Sequence, residues 1–222
     1  MRPSRLTLLI LGVMLYCSPQ FVFAATGNYT SPLSATATTG HINSYFDHTS
    51  PQYGSDSSST MTLYDGSRFT TNVDLSNCTP STHCYNGHNG LDYNTKSMEG
   101  KDILAAAAGI VRQVGWDSPS NHNLRFGYFV SLYHSAYNQT TLYAHTTSSK
   151  VIVAVGNNVT RSQKIAVSGA TGSAGTPTWQ PHLHFSVYDG DVMATSAFAF
   201  SLDPQGWLGS GQDPSLLIHC QE

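Results

Sequence analysis

From Asp102 to Asp189 the apolar positions fall in short runs broken by glycine, asparagine and serine, with no stretch carrying the three-to-four spacing of an amphipathic helix. "DILAAAAGIVRQVGW" (102–116) predicts two strands joined by a turn or bulge at Gly109. Its "LAAAA" favours helix by propensity alone, but the run is short and the glycine ends it. "YFVSLYH" (Tyr128 to His134) and "TTLYAH" (Thr140 to His145) flank "SAYNQ" and predict a hairpin. "VIVAVGNNVTRSQKIAVSG" adds short strands around an asparagine-bearing turn, and "HLHFSVYD" adds another. Short strands at close intervals predict a mainly β chain with a single small domain.

Alternation within these strands assigns faces, because successive side chains of a strand point to opposite sides. In "HLHFSV", Leu183, Phe185 and Val187 are expected in the core, with His182, His184 and Ser186 on the other face. In "TLYAH", Tyr143 and His145 are expected to share a face that points away from the core, with Leu142 and Ala144 opposite.

The N-terminal part reads differently. Arg2 and Arg5 precede the apolar run "LTLLILGVMLY", and small residues follow at Val22 and Ala24, a pattern expected of a signal peptide over 1–24. The run is short for a membrane span, so no stable membrane insertion is expected after cleavage. The mature chain is then expected to be secreted or periplasmic. Residues 25–76 are rich in Ser, Thr, Gly and Pro and read as an extended arm, partly ordered by Tyr45, Phe46 and Tyr53, which leaves 77–222 as the folded domain.

Charge narrows the partners. The two leader arginines reduce ten basic residues to eight, against thirteen acidic ones. That balance offers no basic stripe, and no nucleic-acid binding is expected. Three cysteines remain beyond the leader, Cys78, Cys84 and Cys220. The reading pairs Cys78 with Cys84 and leaves Cys220 free, although spacing alone does not settle connectivity.

Candidate chemistry lies in the histidines. "HNGLD" (His88 to Asp92) places an imidazole and a carboxylate four positions apart, on one side of either an extended or a helical segment. Two histidines and a carboxylate, with a fourth position open to water, are a ligand set suited to catalytic zinc. The further histidine comes from His182 or His184.

The succession "HNGLD", "AGIV", "YAH" and "PHLHF" closely resembles the lysostaphin/LytM-type zinc metallopeptidases over about His88 to Tyr188. The resemblance implies a small antiparallel β-sheet with an open groove, and a LytM-type metallopeptidase domain over 77–222. It implies His88, Asp92 and His184 as zinc (Zn2+) ligands, with His145 and His182 as catalytic histidines. No "HExxH" helix is present to supply a glutamate base, so histidine must carry the proton chemistry, with His182 as the general base and His145 as the oxyanion partner. The implied substrates are peptide cross-links or stem peptides of bacterial peptidoglycan, cut by a monomeric enzyme. Two other readings are a non-catalytic murein-binding regulator and a secreted peptidase acting on glycine-rich protein. Regulators of this type lack part of the five-residue set, which is complete here. Gln180 and Ser186 depart from the family pattern, which has a small residue and an acidic one at those places.

Overall fold

The computed structural model describes residues 29–34, 42–44, 46, 60–62, 68–70, 88–95, 100–172, 180–193 and 200–204. The leader, the three cysteines, Tyr45 and Tyr53 lie outside these residues. Among the described residues there is no α-helix; a short 3-10 turn lies at Ser148–Lys150.

The described residues form twelve strands: β1 (Ile42–Ser44), β2 (Thr60–Thr62), β3 (Arg68–Thr70), β4 (Leu91–Asn94), β5 (Asp102–Leu104), β6 (Gly109–Trp116), β7 (Tyr128–His134), β8 (Gln139–Ala144), β9 (Asn158–Val159), β10 (Lys164–Val167), β11 (His182–Asp189) and β12 (Ser201–Leu202). The main sheet runs β1-β4-β11-β8-β7-β6-β9, with β12 also paired to β11. Every pairing is antiparallel. β10 pairs with β5 and β2 with β3 in two small sheets. The structure therefore agrees with the mainly β, antiparallel expectation.

The predicted hairpin is β7–β8, turned through Asn138 in the left-handed region at φ 50°. The break in the alanine-rich stretch falls earlier than expected. Residues 105–108 form the connection and Gly109 opens β6, while the bulge lies between Val111 and Gln113. Gly109 is required for close approach, since a Cβ there would lie 2.5 Å from the Tyr133 carbonyl oxygen and 2.7 Å from His134 Nδ1. Residues 151–154, read as strand from their apolar pattern, carry no strand, although Ile152 N–H still donates to the Ile165 carbonyl at 3.0 Å.

One face of the sheet carries the main core. Leu183, Phe185 and Val187 pack there with Leu91, Tyr93, Ile103, Val130, Leu132 and Tyr143. Tyr29, Leu33 and Phe46, which belong to the arm, are buried in the same cluster. β1 also covers the β4 edge of the sheet. A second, smaller cluster of Phe126, Phe129, Leu142, Ala144 and Tyr188 lies apart from it.

A buried relay ties the 105–108 connection to the β7–β8 hairpin. His134 Nδ1–H donates to the Ala108 carbonyl at 2.8 Å, which leaves Nε2 to accept from Thr141 Oγ1 at 2.8 Å. Thr141 Oγ1 lies 3.2 Å from Tyr143 Oη, and Tyr143 Oη accepts from Ala106 N–H at 2.8 Å. His134 also packs edge-on to Tyr29. Burial pushes the His134 pKa down, the Ala108 hydrogen bond opposes this, and the Arg161 charge adds to the lowering. The fold thus favours neutral His134. Its contribution is complete above the ordinary value of 6.5 and is lost as pH falls from there through the folded value. Thermal melts from pH 7.5 to 5 are expected to show a smaller loss of Tm for His134→Gln than for the unmodified protein. Parallel pH profiles would remove His134 from the acid response.

Candidate metal centre

Strand register brings the separated motifs together. β4 pairs with β11 so that Asp92 lies opposite His184, and β8 pairs with β11 so that Ala144 lies opposite His184 on the other side. His88 sits just before β4 on a close-packed turn. A Cβ on Gly90 would lie 2.5 Å from the Phe185 carbonyl oxygen, 2.7 Å from Ser186 Oγ and 2.9 Å from His184 Cε1. Gly90→Ala is therefore expected to cost about 1–3 kcal/mol by overpacking and to displace His88 from Asp92. Thermal melts together with metal content check this, and an unchanged Tm would refute it.

His88 Nε2, Asp92 Oδ1 and His184 Nδ1 form a tight buried triangle. Their separations are 3.1 Å for His88–Asp92, 3.0 Å for His88–His184 and 2.8 Å for His184–Asp92. Each contributes one ligand atom to a group that could hold a metal ion. An ionised carboxylate only accepts, so two N–H groups aimed at one oxygen would stand 3.0 Å from each other. A cation instead accepts a lone pair from all three atoms. Two imidazole nitrogens and one carboxylate oxygen form a borderline-soft donor set that fits zinc.

Burial raises the Asp92 pKa, but the His88 and His182 charges and hydrogen bonds from His184 and His88 outweigh it and hold the carboxyl well below its usual range. Burial lowers the His184 pKa, against the opposing Asp92 hydrogen bond and charge. His184 Nε2 lies 2.6 Å from Ser186 Oγ on the same strand face.

His182 and His145 flank the triangle. Their rings lie 4.5 Å apart, and the His145 ring is 5.9 Å from that of His184. His182 Nε2 is 4.0 Å from Asp92 Oδ2. His182 Nδ1–H donates to the Gln180 carbonyl and His145 Nδ1–H to the Thr171 carbonyl, each at 2.8 Å. A carbonyl can only accept, so in both neutral rings the proton is on Nδ1 and Nε2 carries the lone pair. Burial, reinforced by the His182 and His184 charges, holds the His145 pKa well below its usual value, against Asp92 and Thr171.

All five residues singled out in the sequence thus converge, but the face assignment in "TLYAH" is corrected. Tyr143 lies opposite Phe185 and belongs to the main core, whereas Ala144 shares the face of His184. Strict alternation would carry His145 to the core side with Tyr143. Instead β8 ends at Ala144 and His145 adopts φ 58°, which breaks the alternation and brings the ring beside His182. The face bearing the histidines is also less open than a solvated strand face, since His184, Ser186 and Tyr188 are buried.

Two contributors carried no signal in the sequence. Thr171 accepts from His145 through its carbonyl, while its Oγ1 donates to the Thr146 carbonyl at 3.0 Å and accepts from Tyr128 N–H at 3.0 Å. Asn89 donates through Nδ2 to Tyr188 Oη at 2.9 Å, tying the turn after His88 to β11.

The model for peptidase family M23 matches residues 86–195, which contain the whole cluster. The chain belongs to peptidase family M23. Among solved structures, the catalytic domain of lysostaphin, an antimicrobial peptidase from Staphylococcus simulans, is 27% identical over 55% of this chain and 80% of that domain, with a TM-score of 0.44. A catalytic-domain mutant of the prophage-encoded M23 protein EnpA from Enterococcus faecalis is 22% identical over 54% of this chain and 78% of its own, with a TM-score of 0.42. A zinc-containing peptidase from Vibrio cholerae is 29% identical over 57% of this chain and 32% of its own, with a TM-score of 0.40. The chain thus spans about a third of the Vibrio cholerae protein, and 43% of lysostaphin in its longer form. No curated protein matches the chain. No helix among the described residues is long and apolar enough to cross a membrane.

Proposed function

We propose that this family M23 chain is an exported zinc endopeptidase that hydrolyses peptide bonds in the cross-links or stems of bacterial peptidoglycan. The carrying observation is the buried His88–Asp92–His184 triangle beside two further histidines, each held at Nδ1 by a backbone carbonyl. His88 Nε2, Asp92 Oδ1 and His184 Nδ1 would hold the zinc. When bound, zinc supplies Lewis acidity to the scissile carbonyl and makes water a nucleophile near neutral pH.

The remaining chemistry belongs to His145 and His182. Each is held by a backbone carbonyl at Nδ1, so Nε2 is the atom that can take a proton from the attacking water. His182 is the proposed general base, and its distance to Asp92 Oδ2 suits a ring that becomes positive on taking the proton. His145 begins as a neutral acceptor in its buried place. His182 returns to the leaving amine the proton it takes from the water, and His145, on taking the water's second proton at Nε2, serves the oxyanion. The chain is proposed to act as a soluble monomer after removal of residues 1–24.

The test incubates the zinc-loaded protein with purified sacculi of different cross-bridge composition and identifies new termini by mass spectrometry. New amino termini within stems or bridges support the reading. Intact peptides in every sacculus, with stoichiometric zinc present, would refute it.

A further inference from the structure

Ser186 is fully buried on β11, two residues beyond His184 and on the same face. Its Oγ lies 2.6 Å from His184 Nε2 and has no other partner among the described residues. The backbone at Gly90 closes the space above it, leaving room for a small side chain.

A neutral imidazole carries one proton, so its two nitrogens always play opposite parts. His184 Nδ1 lies 2.8 Å from Asp92 Oδ1 and 3.0 Å from His88 Nε2; when no cation shares these atoms, the carboxylate oxygen is the nearer of the two and can only accept. The ring proton then sits on Nδ1, and Nε2 must accept. With a cation in the triangle, Nδ1 gives up its lone pair to the ion and its proton to solvent. Nε2 takes a proton from solvent in exchange and must now donate. The neighbour of Nε2 has to serve both cases inside a buried site, where an unpaired polar atom is costly.

A hydroxyl both donates and accepts. We infer that Ser186 is a positioning residue whose hydroxyl reverses its hydrogen bond to His184 when the metal enters, so that either imidazole tautomer is satisfied in place. An alanine serves neither state. An ionised carboxylate would serve only the metal-bound one. This inference rests on the zinc-centre reading above.

Two measurements test it. Long-range 1H–15N spectra of the unmodified protein are expected to place the His184 proton on Nδ1 in the chelator-treated sample and on Nε2 in the zinc-loaded one. A proton on Nε2 in both samples would overturn the inference. Competition with a chromophoric chelator is expected to show zinc affinity falling about 10- to 100-fold in Ser186→Ala. Ser186→Ala binding zinc as tightly as the unmodified protein would also overturn it. If the unmodified protein binds no zinc in the same titration, the metal centre itself is refuted and the inference falls with it. That outcome is separable, because it needs no variant.

Discussion

Asp92→Ala is expected to purify without zinc and without measurable hydrolysis of sacculi. Asp92 is the only anionic member of the triangle, and its buried carboxylate is held ionised by the histidines around it. Removing it leaves His88 Nε2 and His184 Nδ1 3.0 Å apart with neither a negative charge nor a shared acceptor. Changing a residue that only hydrogen-bonds a metal ligand already costs about 10- to 100-fold in metal affinity, so loss of a direct anionic ligand should exceed that range. Asp92→Asn keeps the shape and removes the charge, and is expected to lose zinc as well, which separates charge from packing. Metal analysis after dialysis against a weak chelator reads the result. Stoichiometric zinc in both variants would end the assignment of Asp92 as a ligand.

His145→Ala and His182→Ala are expected to do the opposite, keeping zinc while losing turnover. Proton transfer by a positioned histidine is worth about 10²- to 10⁴-fold, and an oxyanion partner about 10²- to 10³-fold. Neither ring is part of the ligand triangle, so zinc content should stay near that of the unmodified protein. Circular dichroism and thermal melts guard against misfolding, above all for the more deeply buried His145. Near-normal turnover in both variants would remove histidine from the proton chemistry.

The strand bearing His182 and His184 was legible because Leu183, Phe185 and Val187 alternate with polar residues, and a core selects one face without ambiguity. His88 and Asp92 were legible as a pair through their spacing. Their meeting with His184 depends on the register of β4 against β11, a pairing across some ninety positions that no local pattern encodes. The resemblance to a known family supplied it. His145 shows where alternation fails, since a single left-handed residue at a strand end reverses the side that its side chain faces. Propensity does not announce such a residue when it is not glycine. The sequence suggests a turn or bulge at Gly109, because a glycine needed for backbone approach and one needed for positive φ look alike in a sequence. Thr171 was invisible because its role lies mainly in its backbone carbonyl, which every residue possesses.

β11 hydrogen-bonds to β4 and β8 along its two edges and to β12 near its end. Its side chains also fill the main core on one face. Amide groups in such a strand exchange with solvent chiefly when the whole domain opens, whereas exposed loops open locally at little cost. Among the described residues, His184 therefore lies on a strand expected to open slowly. An ion could leave or re-enter this centre without the strand having to melt and re-form. The pairing of β11 with β4 and β8 thus places the ligand from that strand through the fold itself.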